Sequence, residues 1–171
     1  MILCTSRLRL DPLSREAAPL IYPLMTDPEV MAHWDVSEID DPEVVARIVD
    51  QQVADTEAGR ARYWMMHTLA DTTFVGVCDL TDINHAQHTA DVGFMLKREA
   101  WGQGFALEAM HAVLAHAATE GFRRLFARTH VGNRRSEAML EDLGFELGDY
   151  MRGYLDRDGE RRDVRLWSLV L

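Results

Sequence analysis

Hydrophobic residues alternate with polar ones in several short stretches and recur at helical spacing in others, which predicts strands and helices in mixed order. The first such stretch alternates Leu8 and Leu10 with Arg7 and Arg9, as expected of a half-buried strand. The hydrophobic residues of 106–120 recur every three or four positions, which predicts a long helix with one buried face. Six further strands are predicted at 63–69, 73–82, 90–97, 123–130, 145–154 and 161–170.

Capping residues predict where other helices begin and end. Asp27 and Asp41 each precede a proline, and an acidic residue followed by proline is a standard helix start. These starts predict a short helix up to Trp34 and a longer one up to about Ala58. Helix-like segments therefore lie at 14–25, which contains two prolines, and at 28–34, 42–58, 106–120 and 134–143.

The order of the elements indicates the fold class. Asp158-Gly159 between the last two strands favours a two-residue hairpin turn. The main elements follow the order β, αα, βββ, α, β, α, ββ, which is typical of a mixed α/β sheet. The chain contains no linker, repeat or low-complexity tract, and its 171 residues fit one domain. We therefore predict a single domain over residues 1–171.

Composition narrows the class of protein. With 47% hydrophobic and 27% charged residues, the chain resembles an ordinary globular protein. It has no apolar run of about 20 residues that could cross a membrane, and no secretory leader pattern follows Met1. Cys4 and Cys78 are far apart in apolar context, so we expect two buried free thiols in a reducing compartment. These features predict a cytoplasmic protein with no membrane partner.

The net charge of the chain argues against one class of partner. A net charge of −10 and a pI of about 5.1 argue against nucleic-acid binding, which needs a basic face. An acidic surface would suit a cationic acceptor, but acidity for solubility alone is common and carries more weight. The arginines at 157, 161, 162 and 165 stand among acidic residues and predict a solvated hairpin. The histidines have no metal-ligand spacing, so no metal site is predicted.

The segment 99–109 carries the most informative chemistry. Gly102, Gly104 and Ala106 lie between a predicted strand and a predicted helix, where small side chains let a ligand approach the backbone. The free N–H groups and positive dipole end of the helix would attract an anion such as a pyrophosphate. A P-loop is excluded because Gly-x-x-x-x-Gly-Lys-Ser/Thr is absent, and a dinucleotide fingerprint because its third small position is Leu107.

Further motifs accompany this turn at characteristic spacings. They are Thr5-Ser6-Arg7-Leu8-Arg9-Leu10, Ala90-Asp91-Val92-Gly93-Phe94, Asn133-Arg134-Arg135-Ser136, Leu143-Gly144-Phe145 and Asp163. Together with Trp101-Gly102-Gln103-Gly104-Phe105-Ala106, they resemble the GNAT-type N-acetyltransferase superfamily. The RimJ/RimL-like branch, which acetylates protein N-termini, is the most similar, because Trp101 stands where other members have Arg or Gln. The resemblance covers nearly the whole chain.

This resemblance implies a fold and an acyl donor. The implied fold is a mixed, mostly antiparallel twisted sheet of about seven strands with about four helices, in which two parallel strands splay apart. The donor would be acetyl-CoA in the resulting cleft, with no metal. Backbone groups of Phe94, Met95 and Leu96 would bind the pantetheine arm, and Asn133 would contact the donor. The pyrophosphate would be held by the turn, whose residues are Gly102, Gln103, Gly104, Phe105 and Ala106.

Acetyl transfer requires a neutral amine, so a base must take a proton from the ammonium, and an acid can protonate the leaving thiolate. Asp91 stands where the family often has a glutamate base acting through a water; the alternative is a strand carboxylate with a structural partner. Leucine occupies position 140, where many members have a tyrosine, so Ser136 is the candidate partner of the CoA sulfur; alternatively, it caps its own helix. Trp34 and Glu38 are candidates for binding the amine, although a solvated loop carboxylate is more frequent.

We therefore expect an acetyl-CoA-dependent N-acetyltransferase acting on a primary amine, in the first place a protein or peptide N-terminal α-amine. One alternative acceptor is a small amine such as a polyamine, an amino acid or an aminoglycoside. Another alternative is a non-catalytic acyl-CoA-binding module, which the absent tyrosine permits. An open groove would favour peptides, and a closed pocket lined by carboxylates would favour small amines. The sequence is also compatible with a homodimer.

Overall fold

The computed structural model describes all residues 1–171 and contains one eight-stranded sheet and five α-helices. The strands are β1 (Leu3–Cys4), β2 (Leu8–Pro12), β3 (Arg62–Thr68), β4 (Phe74–Asn84), β5 (Thr89–Leu96), β6 (Arg124–His130), β7 (Glu146–Arg157) and β8 (Glu160–Val170). The helices are α1 (Ala18–Met25), α2 (Pro28–Met31), α3 (Pro42–Glu57), α4 (Phe105–Thr119) and α5 (Arg134–Asp142). Across the sheet the strands follow the order β1-β2-β3-β4-β5-β6-β8-β7.

The mixed, mostly antiparallel fold is confirmed, with eight strands and five helices in place of about seven and about four. The additional strand is β1, whose two residues are too few to show an alternating pattern. The segment 14–25 divides into a 3-10 turn at Arg15–Ala17 and helix α1, and the five α-helices correspond to the five helix-like segments of the sequence. Pro19 is tolerated in the first turn of α1 because its missing N–H would have had no helical acceptor.

The predicted caps and hairpin turn are confirmed. The Asp27 carboxylate accepts a hydrogen bond from Glu29 N at 2.9 Å, and the Asp41 carboxylate accepts one from Glu43 N at 2.8 Å. Asp158 and Gly159 both have positive φ, as a two-residue turn of the predicted type requires.

The sheet opens between its only two parallel neighbours, β5 and β6. They pair at three positions, Thr89 with Arg124, Ala90 with Leu125 and Asp91 with Phe126. Beyond these pairs β5 continues to Leu96 and β6 to His130 without joining. Because β5 is also paired with β4 and β6 with β8, both strands stay extended as they separate.

Hydrophobic clusters fix the helices on the sheet. Val113, Leu114 and Ala117 of α4 are buried in one cluster, as their spacing predicted. A second cluster joins α1, α2 and α3 to Phe74 and Met95 of the sheet. Of the two cysteines, expected to be buried, the one in β4 is buried, whereas the one in edge strand β1 is exposed. None of the helices is long and apolar enough to cross a membrane.

Glu108, in the first turn of α4, ties this helix to the bend between β1 and β2. Its carboxylate accepts hydrogen bonds from Thr5 Oγ1 at 2.5 Å, Ser6 Oγ at 3.0 Å and Arg7 N at 2.8 Å, and it pairs with Arg7 Nε at 2.6 Å. Burial alone would raise the pKa of Glu108, but these hydrogen bonds outweigh it and lower the pKa to about 2. The predicted first strand therefore begins only at Leu8, because the preceding residues bend towards Glu108.

We expect Glu108→Gln to lower the free energy of unfolding at pH 7 by roughly 2 kcal/mol, because an amide replaces a carboxylate that accepts several hydrogen bonds. The advantage of the parent protein is complete above pH 4.5, the ordinary pKa, and is lost as the pH falls through about 2. Urea unfolding across this pH range measures the effect, with the exposed Glu141→Gln as control. A difference that persists unchanged to pH 2 would contradict the assignment.

Candidate functional site

A cavity of about 940 Å³ opens where β5 and β6 separate. Its volume lies at the upper end of the usual range for small-molecule sites. One end reaches the turn before α4 and the first turn of α5, and the other lies beneath α1, α2 and α3. Most lining side chains are hydrophobic, so the few polar groups identify the chemistry that the cavity can support.

The residues expected to bind the acyl donor come together along one side of the cavity. Six of them line it, namely Phe94, Met95, Leu96, Gly102, Ala106 and Asn133. Gln103, Gly104 and Phe105 belong to the same turn without lining the cavity. Phe105 is instead buried, with the Arg7 guanidinium 4.8 Å from its ring, and Arg7 also donates to the Gln103 carbonyl at 2.9 Å.

The backbone of this turn presents a row of free donors. The N–H groups of residues 102–107 donate no hydrogen bond within the protein, and Glu108 N is the first with an acceptor, Gly104 O at 3.0 Å. Gly102 and Gly104 have φ of 73° and 77°, a conformation that favours glycine, and a Cβ at Gly102 would meet no atom within 4 Å. Consecutive free N–H groups at a helix start form an anion site, so the turn fits a pyrophosphate.

Two arginines that the sequence analysis did not assign to the site face the same region. Arg134 and Arg135 line the cavity at the start of α5, and the Arg135 guanidinium lies 4.9 Å from the ring of Trp101. Trp101 in turn donates from Nε1 to Leu96 O at 3.0 Å, which joins the turn to β5. Guanidinium groups are good partners of phosphates. The adjacent arginines after Asn133 were visible in the sequence and could have indicated this role.

Ser136 lines the cavity, and its hydroxyl makes no hydrogen bond within the protein. The helix cap is Asn133, whose Oδ1 accepts from Ser136 N at 3.4 Å. The alternative that Ser136 caps its own helix is therefore wrong. Its hydroxyl is free to donate towards a group in the cavity.

Two aspartates line the opposite part of the cavity. Asp91 of β5 is the predicted base; burial and then Asp82 raise its pKa, while Arg128 lowers it. Asp79 of β4 was not predicted. Burial, followed by the charge of Asp91, raises the pKa of Asp79 to about 7. An aspartate within the apolar run before Leu80 was a visible anomaly that could have identified it.

The residues proposed for the acceptor differ in their placement. Trp34 lines the cavity, in the segment that joins α2 to α3. Glu38 does not line it and lies 3.5 Å from Arg157 Nη2 instead. Arg157, expected on a solvated hairpin, is 7% exposed, and its Nη1 donates to Met31 O at 2.8 Å and Ala32 O at 2.9 Å. The hairpin arginine is buried because it satisfies carbonyls at the end of α2.

His130 of the sheet binds the segment that joins α2 to α3, which forms this wall of the cavity. Its Nε2 lies 2.9 Å from Asp35 Oδ1, and this hydrogen bond lowers the pKa of Asp35. His130 is buried at the end of β6 and also lines the cavity. Arg157 therefore binds the wall between α2 and α3 on one side, and His130 binds it on the other. No three His, Cys, Asp or Glu side chains are placed to hold a metal ion.

Comparisons with known proteins agree with this geometry. The family model for the acetyltransferase (GNAT) domain matches residues 7–146. Over 170 residues the chain is 28% identical to a Bacillus licheniformis protein called uncharacterized N-acetyltransferase p20, covering 98% of this chain and 95% of that protein. Over 114 residues it is 28% identical to the ribosomal protein uS5 alanine N-acetyltransferase of Escherichia coli, covering 66% of this chain and 59% of that protein.

A solved structure has the same fold. It is an acetyl transferase from Salmonella typhimurium that is described as modifying the N-terminal serine of 50S ribosomal subunit protein L7/L12. It superposes with a TM-score of 0.91 at 20% identity and covers 100% of this chain and 99% of that chain. The likeness confirms the predicted mixed sheet with a splayed parallel pair.

We expect Arg157→Met to lower the free energy of unfolding by roughly 3 kcal/mol, because it leaves buried carbonyls and Glu38 without their cation. Residues 31–38 should then exchange amide hydrogens faster, which hydrogen-exchange mass spectrometry measures. Arg161→Met is the matched control, since Arg161 lies on the same hairpin and is exposed. Equal protection of residues 31–38 in both variants would refute the role of Arg157.

Proposed function

The chain belongs to the GNAT acetyltransferase family, and on that premise we propose that it transfers the acetyl group of acetyl-CoA to the α-amine of a protein or peptide N-terminus. The observation that carries the proposal is the run of free N–H groups at 102–107 beside the splayed strands. A pyrophosphate fits these donors, and an extended amide-containing arm fits the open edge of β5. The acyl donor of the family has both parts in one molecule.

In this proposal the donor enters along the turn before α4. Gly102 to Ala106 bind the pyrophosphate through backbone N–H groups, and Arg134 and Arg135 add positive charge. The segment formed by Phe94, Met95 and Leu96 continues β5 beyond its last pair with β6, so the pantetheine arm would lie along this free strand edge. The thioester then lies near Asn133 and Ser136, at the point where the strands part.

The chemistry begins when a carboxylate takes one proton from the acceptor ammonium. The neutral nitrogen attacks the thioester carbonyl carbon, the C–S bond breaks, and the second proton leaves the nitrogen for the CoA sulfur. Two carboxylates line the cavity for this step, that of the predicted base Asp91 and that of the neighbouring Asp79. Ser136, whose hydroxyl has no partner in the protein, donates towards the sulfur as negative charge develops there.

The named acceptors of the Escherichia coli and Salmonella relatives support an α-amine. A small amine is the second candidate, and Asp79, a cavity carboxylate without a cationic partner, favours it. Trp34 lines the acceptor end in either case, while Glu38 pairs with Arg157, which holds the segment between α2 and α3.

We also propose that residues 1–171 form one domain that works in the cytoplasm. A homodimer is compatible with this arrangement.

We expect Gly104→Val to weaken acetyl-CoA binding by at least tenfold. Gly104 has φ of 77° at the start of α4, and a Cβ there would lie 3.4 Å from Arg7 Nη2, so a branched side chain displaces the turn. Isothermal titration with acetyl-CoA measures the change. The matched control is Gly121→Val, at the other end of α4, which has φ of 88° and the same strain away from the cavity. Equal affinities of the two variants would contradict the donor site.

Acceptor class is tested with the parent protein. Steady-state transfer from acetyl-CoA to peptides with free N-termini should exceed transfer to the same peptides with blocked N-termini and to polyamines. Preferred transfer to polyamines would select the second candidate. Saturable acetyl-CoA binding without transfer to any amine would instead indicate a non-catalytic acyl-CoA-binding module.

A further inference from the structure

Resting on the acetyl transfer proposed above, we infer that Asp79, and not Asp91, takes the proton from the acceptor ammonium. Both aspartates project from the same face of neighbouring strands, and the cavity reaches both. They differ in their position relative to the opening between β5 and β6 and in the charges around them.

Asp79 lies at the open part of the sheet. It is opposite Gly93 in the β4–β5 register, whereas Asp91 is opposite Thr81 and still paired with Phe126 of β6. The Asp79 carboxylate folds over the backbone of Gly93, so closely that a Cβ there would lie 2.8 Å from Oδ1. Gly93 immediately precedes the strand segment proposed for the pantetheine arm. Asp79 therefore lies beside the start of the strand segment proposed for the pantetheine arm.

The surroundings leave the Asp79 carboxylate without a partner. It accepts no hydrogen bond and forms no ion pair, although it is partly buried and lines the cavity. The one charge that acts on it is that of Asp91 on β5, and the Tyr63 phenol on β3 is near enough for Asp79 to raise its pKa. Arg128 of β6 interacts with Asp91 and pairs with Asp35 at 3.5 Å, whereas no cation acts on Asp79.

These charges decide which aspartate can work as a base near neutral pH. Burial and then Asp91 raise the pKa of Asp79 to about 7, where a base balances ionisation against proton affinity. Arg128 opposes this rise at Asp91. Below pH 7 Asp79 holds a proton and cannot accept another, so activity rises with pH through this range.

The proton balance is simple. The ionised Asp79 carboxylate accepts one proton from R–NH3⁺, which leaves neutral R–NH2 and a protonated Asp79. The nitrogen attacks the carbonyl carbon, the C–S bond breaks, and the remaining transferable proton passes from nitrogen to sulfur. Asp79 then returns its proton to water, so each turnover yields an amide, CoA thiol and one proton.

The test is Asp79→Asn, measured as kcat/KM for two acceptors of different basicity. Without a base, only the fraction of amine already neutral in solution reacts. At pH 7 we expect a loss of roughly tenfold for a peptide α-amine and on the order of 10³-fold for an alkyl amine. The loss should shrink as the pH rises towards the pKa of each amine, and the Kd for acetyl-CoA should stay unchanged. A structural defect would reduce both acceptors equally at every pH.

Asp91→Asn is the matched comparison. It removes the like charge beside Asp79, so the acidic limb of the pH profile should shift to lower pH. Gly93→Ala keeps both aspartates but displaces the Asp79 carboxylate, and it should resemble Asp79→Asn.

Three outcomes would overturn the inference. Asp79→Asn could keep the parent pH profile, Asp91→Asn could instead cause the loss that depends on amine basicity, or Asp91→Asn could leave the acidic limb in place. The pH profile of Asp91→Asn tests the role of Asp79 even if Asp79→Asn does not fold. If the parent protein transfers acetyl to no amine, the proposed function itself fails; if the parent is active, only the role of Asp79 is wrong.

Discussion

The site depends on one constraint, the end of parallel pairing between β5 and β6 after three residue pairs. Each strand is paired on its other edge, to β4 or to β8, so neither can curl to satisfy its free edge. Backbone N–H and C=O groups without partners are costly when water is excluded. A ligand with amide groups along an extended arm satisfies them, so the splay favours that class of ligand before any side chain is considered. The cavity and the free edge of strand segment 94–96 both follow from this opening.

Around the opening, charged side chains hold the structure that faces the ligands. Glu108 joins the bend between β1 and β2 to the first turn of α4, and it leaves the N–H groups of that turn free. Arg157 satisfies carbonyls at the end of α2, and His130 binds Asp35 in the segment that follows. These cations and hydrogen bonds all bind groups in the segments that surround the cavity. Asp79 therefore has no internal partner, which is why burial raises its pKa without compensation, whereas Arg128 opposes the rise at Asp91.

Local chemistry was predictable from the sequence, and long-range register was not. The glycine-rich turn, the caps at Asp27 and Asp41, and the hairpin turn each depend on a few adjacent residues. Arg157 was assigned to solvent because its neighbours in sequence are charged, yet its partners are more than 120 positions away. Asp79 depends on the β4–β5 register and on the missing side chain at Gly93, and neither can be derived from residues 79 and 93 separately. Glu38 was assigned to the cavity from proximity to Trp34, but its side chain pairs with Arg157.

The donor half and the acceptor half of the site therefore depend on different features of the chain. Backbone groups bind the donor, so short motifs identify it, whereas the acceptor half depends on the pKa of one carboxyl. Moving a proton from an α-amine of pKa near 8 to a group of pKa about 7 costs roughly 1 kcal/mol. The same step costs about 5 kcal/mol from an alkyl amine, or from the α-amine to an aspartate of ordinary pKa. An aspartate of this pKa thus makes proton removal from an α-amine nearly balanced, and the same removal from an alkyl amine costs roughly 3 kcal/mol more because that amine is more basic.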